Sequence, residues 1–241
     1  DPKDPGKVQR VFQDLRKPPP PGVRYPSRLP LGRFELALRK GARISHANLQ
    51  PSRGTLSLFI TGAVKAPVVL AVHPEQSLLY IDDPAGHLRG CTSRSAWEWV
   101  GAELAKHRFS PPLLPEEKDC EGWAQACPED PALAAVSMRH GKGRSFALAT
   151  GVDAPHALAA AKSLAKHAPD RKTFLDETAA WWGAWWKDLP SLEIPSRFFS
   201  TFYEYAAWKF ACATMPSSTL PSALQGPWVE EYQLPPWAGD Y

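Results

Sequence analysis

Arg33-Phe-Glu-Leu-Ala-Leu38 alternates polar and apolar side chains, as a β-strand does when only one of its faces is buried. Stretches of similar character follow it along the chain. Their predicted bounds are 42–49, 55–61, 68–73, 77–81, 121–126, 132–139 and 145–150. Many short strands at this spacing favour an antiparallel β-sandwich.

Turn-forming residues separate the predicted strands. Pro51-Ser-Arg-Gly54 and Gly141-Lys-Gly143 combine residue types that favour tight turns. Asp82 and Asp83 precede a proline, so we interpret these carboxylates as turn formers rather than as a catalytic pair. Between about 91 and 119 no period is sustained, and the sequence predicts no regular element there.

After residue 152 the apolar period changes from two to 3.6, which predicts helices. The first covers 154–166 and is rich in alanine, with Asp153 as its N-cap. The second covers 173–187, where Thr173 and Asp176 resemble a capping box. Helices after strands indicate a change of domain at about this point.

Aromatic side chains dominate the second and third predicted helices. The tryptophans of the second helix cover more than one of its faces, so it is expected either to be buried on two sides or to clamp two domains. They are Trp181, Trp182, Trp185 and Trp186. The third helix, 196–214, is apolar nearly all round, which favours a core position. One helix cannot form a domain, so this one is expected to need partner helices.

Composition argues against two classes of partner. The chain has 241 residues and a net charge of +3, which is too small and too dispersed to favour nucleic acid. The longest apolar run, 63–72, is interrupted by Lys65, so the sequence predicts no membrane span. Residues 1–30 are rich in proline and are predicted to form an extended lead-in.

Cysteine and histidine spacings do not predict a metal site. Cys120 and Cys127 are spaced unlike zinc ligands, and no paired histidines accompany them. Either a small disulfide between them or free thiols fit the sequence. The seven histidines are scattered along the chain, which favours surface or packing roles.

The segment 221–241 is unusually aromatic and stiff. It holds two Trp, two Tyr, three acidic residues and four Pro, with neither a helical nor a strand period. Ordering such a segment costs about 1–2 kcal/mol of backbone entropy per residue, so a packed role is expected. We interpret it as a loop beside a pocket, in a chain that is a fragment cut at the C-terminal edge of its working site.

Two motifs in this segment carry a resemblance. Leu224-Gln-Gly-Pro-Trp228 and Pro235-Pro-Trp-Ala-Gly-Asp-Tyr241 resemble the segment that enters the catalytic barrel of the six-hairpin glycosidases. The inverting α-L-fucosidase-type family, glycoside hydrolase family 95, is the most similar. Gly122-Trp-Ala-Gln125 is similar to a late sandwich section of the same proteins, with less specificity.

The resemblance implies a domain order. It implies an antiparallel, supersandwich-like β-sandwich, then linker helices, then the first helix of an (α/α)₆ barrel. The corresponding bounds are 1–30 for the lead-in, 31–152 for the sandwich, 153–190 for the linker and 191–241 for the incomplete barrel. The family's water-orienting residues and its general acid would follow Tyr241, so no catalytic residue is assigned and the 241 residues are expected to have no turnover.

The resemblance also places candidate substrate-binding residues in the tail. Trp228 and Trp237 are candidates for stacking on sugar rings, and Gln225 and Asp240 for hydrogen bonds to sugar hydroxyls. Tyr241 lies next to the expected catalytic step. The alternative is that these side chains only brace the loop.

The expected partner is an oligosaccharide or polysaccharide, with no cofactor and no metal required for the chemistry. The resemblance implies a secreted or periplasmic location. A non-catalytic carbohydrate-binding module and a fragment of a related glycoside phosphorylase remain alternatives. Glu230 and Glu231 are adjacent in an extended segment, so their side chains are expected to point apart rather than to form a catalytic pair.

Overall fold

The computed structural model describes residues 31–62, 66–190 and 192–214. The strands are β1 Gly32–Leu38, β2 Ile44–Gln50, β3 Thr55–Ile60, β4 Val68–Val72, β5 Leu78–Asp82, β6 Leu88–Ser95, β7 Cys120–Gln125, β8 Ala132–His140 and β9 Gly143–Gly151. The helices are α1 Trp97–Lys106, α2 Ala154–Lys166, α3 Arg171–Asp188 and α4 Arg197–Ala213. Residues 31–206 form one compact unit, and the last turns of α4 fall outside it.

The described strands form two antiparallel sheets. Seven strands pair in the order β2-β3-β4-β5-β9-β8-β7, and β1 pairs with β6 in a separate two-stranded sheet. The predicted antiparallel strands followed by helices are therefore confirmed, and the arrangement is compatible with a β-sandwich. The sequence does not predict the partner of β1, because most of β6 lies in the stretch 91–119, where no regular element is expected.

One hydrophobic cluster joins the two sheets. Its buried members from the large sheet include Ile81 and Phe146, and β6 contributes Cys91. Phe34 of β1 lies 5.0 Å from Trp123 and 5.1 Å from Phe146, measured between ring centroids. The inward side of the β1 alternation is therefore a packing surface, as the sequence pattern predicts.

A second cluster covers the opposite face of the large sheet. The α2 alanines Ala157, Ala161 and Ala165 are fully buried there, and Phe174 of α3 joins them. Small side chains let the α2 backbone approach the sheet closely. A Cβ atom at Gly151 of β9 would lie only 2.4 Å from the backbone nitrogen of Ala157. The alanine-rich stretch therefore encodes close packing of helix on sheet as well as helix propensity.

The stretch 91–119 contains two elements that were not predicted. Strand β6 begins before it and shows weak alternation, since only Cys91 and Ser95 of its eight residues are buried. Helix α1 follows without a side-chain N-cap and is interrupted at Val100, whose backbone is not helical. Weak periodicity and a missing cap removed the signals that sequence analysis requires.

The beginning of α3 differs from the prediction. Asp170 is the N-cap, and its carboxylate accepts hydrogen bonds from the backbone N–H groups of Lys172 and Thr173. Thr173 donates its hydroxyl to the same carboxylate, and Asp176 pairs with Lys172 instead of closing a capping box. An aspartate one residue before the helix can reach two free N–H groups, which Thr173 cannot do from within the helix.

Trp182 anchors α3 on the β2–β3 turn. Its side chain is only 4% exposed, whereas the other three tryptophans of the helix are partly exposed. Gly54 ends the 3₁₀ turn Pro51–Arg53 in the left-handed conformation, with φ of 61°. A Cβ atom there would lie 2.1 Å from the indole ring of Trp182. The turn therefore requires glycine for two separate reasons.

We predict that Gly54→Ala lowers the free energy of unfolding by about 2–4 kcal/mol, because it adds left-handed strain and a clash with Trp182. The matched control is Gly141→Ala. Gly141 has φ of 59° and open space where its Cβ atom would be. Gly141→Ala should therefore lower the free energy of unfolding by only about 1–2 kcal/mol, from left-handed strain alone. Urea unfolding of both variants measures the difference. Equal losses would contradict a tight contact between Gly54 and Trp182.

A buried carboxylate ties α3 to the large sheet. Asp82 at the end of β5 has a 6% exposed side chain and accepts a hydrogen bond from Nε of Arg171 at 2.5 Å. Asp83, by contrast, accepts from the backbone N–H groups of His87 and Leu88, as a turn former does. The turn-former prediction is confirmed for Asp83, whereas Asp82 instead forms an interaction between distant elements.

Asp82→Asn should lower the free energy of unfolding by about 1–3 kcal/mol, because it removes a charge-assisted hydrogen bond at a buried site. Asp176→Asn provides the control. It breaks the exposed pair with Lys172, which should cost less than about 0.5 kcal/mol. Chemical denaturation of both variants checks this prediction, and a loss at Asp82 no larger than at Asp176 would refute it.

Candidate functional site

The substrate-binding residues predicted from the resemblance lie outside the described residues. This applies to Gln225, Trp228, Trp237, Asp240 and Tyr241. Their predicted roles therefore stay predictions.

The described residues form a cavity where the β2–β3 turn, the end of α3 and the beginning of α4 meet. Its volume is about 470 Å³, within the range of about 300–1,000 Å³ that is usual for small-molecule sites. The lining residues are Pro51, Ser52, Trp186, Leu189, Pro190, Leu192, Ser200, Tyr203 and Glu204. All of them belong to the compact unit 31–206.

Local sequence explains why a cavity opens here. Helix α3 stops at Asp188 because Leu189 precedes Pro190 and adopts an extended conformation, which the residue before a proline favours. The chain then turns before α4 begins at Arg197. The phenolic hydroxyl of Tyr203 donates to the carbonyl oxygen of Pro190 at 3.0 Å and fastens α4 to the end of α3.

The lining combines apolar and polar groups in similar measure. Ser52 and Ser200 contribute hydroxyl groups, and Glu204 contributes an exposed carboxylate. The indole N–H of Trp186 is buried and has no hydrogen-bond acceptor among the residues that the structure describes. A buried donor without a partner costs about 1–3 kcal/mol, so this group is unusual in a folded chain.

Glu204 is the only carboxylate among the described lining residues. Inverting hydrolysis of a glycosidic bond needs two carboxylate functions about 6.5–9.5 Å apart, one as acid and one as base. Glu204 is one carboxylate of the two that such a reaction would need.

Sequence analysis did not find this cavity. The sequence predicts Trp186 as one of four tryptophans that cover more than one face of a helix, and it predicts Pro51 and Ser52 as turn residues, without bringing them together. The two X-Pro pairs, Leu189-Pro190 and Ile194-Pro195, were the available signal, because they mark a bend between aromatic helices. Which side chains converge at that bend depends on tertiary structure.

The four cysteines are free thiols, which resolves the alternatives left open for Cys120 and Cys127. Burial raises the pKa of Cys91 and Cys120 above the usual value for a thiol, and it does the same for Cys127 and Cys212. Each thiol is consequently less ionised at a given pH than an exposed one.

Two further searches of the described residues were negative. No group of three or more histidine, cysteine, aspartate or glutamate side chains lies close enough together to hold a metal ion. None of the described helices combines the length and the apolar character needed to cross a membrane.

Comparisons of the chain with family models, with curated proteins and with solved structures gave no match.

Raised thiol pKa values predict slow labelling of the folded chain by Ellman's reagent at pH 8. The rate should rise roughly tenfold per pH unit until the pH passes the raised pKa, because only the thiolate reacts. Cys91 and Cys120 are buried, whereas Cys127 and Cys212 are partly exposed and should react before them. Cys127→Ser and Cys212→Ser identify the early phases. Rapid reaction of both buried thiols without denaturant would contradict this assignment.

Proposed function

We propose that this chain is the N-terminal part of a glycoside hydrolase of the six-hairpin type. It would supply the supersandwich-like β-sandwich, the linker helices and the first helix of an (α/α)₆ barrel. The proposed reaction is the cleavage of a glycosidic bond by water with inversion of configuration, as in α-L-fucosidase-type enzymes. The catalytic pair would lie outside the described residues, which would hold and orient the glycan.

The cavity beside Trp186 is the observation that carries this proposal. Sugars combine apolar C–H faces with hydroxyl groups, so they bind where aromatic and aliphatic side chains surround a few hydrogen-bonding groups. The Ser200 hydroxyl and the Glu204 carboxylate are suitable partners for sugar hydroxyls. The indole ring of Trp186 contributes an aromatic surface to the same lining.

The exposed aromatic side chains of α4 support the barrel part of the proposal. Phe198, Phe199 and Phe202 are 71%, 58% and 60% exposed. The sequence predicts a core helix here, but the described residues leave these rings uncovered. Exposed phenylalanines on one helix are costly in water, so they are consistent with a helix that packs against further helices.

The second candidate is a carbohydrate-binding module without catalytic activity. Glu204 is the single carboxylate among the described lining residues, and this favours the module, because one such group can orient a sugar but cannot supply both acid and base. The two candidates share glycan binding and differ in turnover, so two experiments distinguish them.

Glycan binding is tested by calorimetric titration of the 241-residue chain with fucose-containing oligosaccharides. Glu204→Gln should weaken binding roughly tenfold, because hydrogen bonds to a charged group contribute about 1.5–3 kcal/mol. The matched control is Glu193→Gln, which removes a nearby exposed carboxylate outside the cavity and should leave binding unchanged. Equal binding by all three proteins, or no binding, would count against the cavity as a sugar site.

Turnover is tested with an aryl α-L-fucoside, comparing the 241 residues with a longer product of the same reading frame. The short chain should release no sugar. The longer product should release fucose with inverted configuration, which proton NMR of the first-formed anomer detects. A requirement for inorganic phosphate would identify a phosphorylase instead. Absence of turnover in the longer product, with binding intact, would leave the binding module as the function.

A further inference from the structure

A second cleft, distinct from the cavity beside Trp186, is surrounded by positively charged side chains. It has a volume of about 120 Å³ and opens between the two sheets beside the turn after β5. Five cationic side chains line it: Arg39, Arg89, Arg139, Lys142 and Arg144. A net charge of only +3 on the whole chain makes five cations around one small cleft notable.

Sheet register forces two of these cations together. Arg139 of β8 and Arg144 of β9 are direct cross-strand neighbours on the face that packs toward β1 and β6. Like charges in this position are destabilising unless something compensates for them. No carboxylate in the described part of the chain forms an ion pair with any of the five cations.

Hydrogen bonds position the cations without neutralising them. Arg144 is partly buried and donates from Nη1 to the hydroxyl of Ser137 at 3.0 Å. Arg139 donates from Nε to the carbonyl oxygen of Gly141, and Lys142 donates from Nζ to that of Pro84. Each of these groups retains further N–H donors, so the cleft has more donors than acceptors.

The lining contains one acidic residue, Asp83, whose single negative charge leaves an excess of positive charge around the cleft. The two carboxylate oxygens of Asp83 accept from the backbone N–H groups of His87 and Leu88 at 2.8 and 2.7 Å. Asp83 therefore holds the turn that carries one wall of the cleft. On the same turn Gly86 lies under the guanidinium of Arg39, whose Nη2 is 3.0 Å from the position of a Cβ atom.

We propose that this cleft binds a sulfate or phosphate group, either as the free ion or as an ester on a glycan. Guanidinium groups match the oxygens of these anions with paired hydrogen bonds, which makes arginine the preferred residue for them. The cleft is far smaller than the roughly 300–1,000 Å³ of sites for drug-sized molecules, so it fits an anionic group rather than a whole oligosaccharide. The inference does not depend on the proposed glycosidase function.

The test is calorimetric titration of the 241-residue chain with sodium sulfate and with sodium phosphate, at constant ionic strength. Arg144→Gln should weaken binding by roughly tenfold or more, because it removes the partly buried guanidinium. Arg89→Gln is the second variant. The Arg89 side chain is exposed and forms no hydrogen bond with another described residue. This variant should therefore keep the fold while weakening binding several-fold.

Arg53→Gln is the control, since it removes an exposed arginine that does not line the cleft. It should bind both anions as the unmodified chain does. Binding that is absent, or that Arg144→Gln and Arg89→Gln reduce no more than Arg53→Gln does, would overturn the proposal. An equal rise of the melting temperature with sulfate in all variants would also overturn the proposal, because sulfate stabilises folded proteins without a specific site.

A sulfated disaccharide distinguishes the two sources of the anion. Binding roughly tenfold tighter than free sulfate, lost in Arg144→Gln, would support an ester carried on a glycan. Equal affinity for the free ion and the disaccharide would support a site for the free anion. Failure of all these anions to bind would overturn the site while leaving the sugar cavity untested by this experiment, so the two proposals fail separately.

Discussion

The pairing of β5 with β9 is the contact on which the rest of the described structure depends. It joins residues 78–82 to residues 143–147, from parts of the chain about sixty positions apart, and so connects the meander β2–β5 to the meander β7–β9. Closing such a loop costs entropy that only burial can offset. Leu78 and Ala147 pair directly and belong to the cluster under α2, whereas Ile81 and Phe146 belong to the cluster between the sheets. A single ladder therefore supports both hydrophobic cores.

Both candidate sites follow from this ladder. The register places Arg144 opposite Ile81 on one side and Arg139 on the other, which builds the floor of the cationic cleft. Asp82, in the last pair of the same ladder, binds Arg171 and fixes the beginning of α3. Helix α3 is fixed at Asp82 through Arg171 and at Gly54 through Trp182. Its last turn therefore reaches the cavity beside Trp186 in a defined orientation.

The two sites differ in the chemistry they offer. The cavity at Trp186 mixes apolar and polar groups and has one exposed carboxylate among its described lining residues, and we propose a neutral polyhydroxylated ligand for it. The cleft at Arg144 has an excess of cationic donors and little volume, which suits a compact anion. Both linings lie within the compact unit 31–206, so the two proposed ligands would occupy separate places on that unit.

Local sequence signals by themselves determined most of the elements. Alternation placed eight of the nine described strands, and the 3.6-residue period placed the helix after Asp153 at its observed bounds, because these signals depend on near neighbours. Strand β6 is not predicted because few of its residues are buried, and helix α1 is not predicted because it lacks a side-chain cap. Only the tertiary structure decided the pairing of β1 with β6, the convergence of Trp186, Tyr203 and Glu204, and the approach of Arg39 and Arg89 to the β8–β9 hairpin. Such contacts join residues whose separation along the chain carries no periodic signal, and they are selected by burial and register over the whole fold.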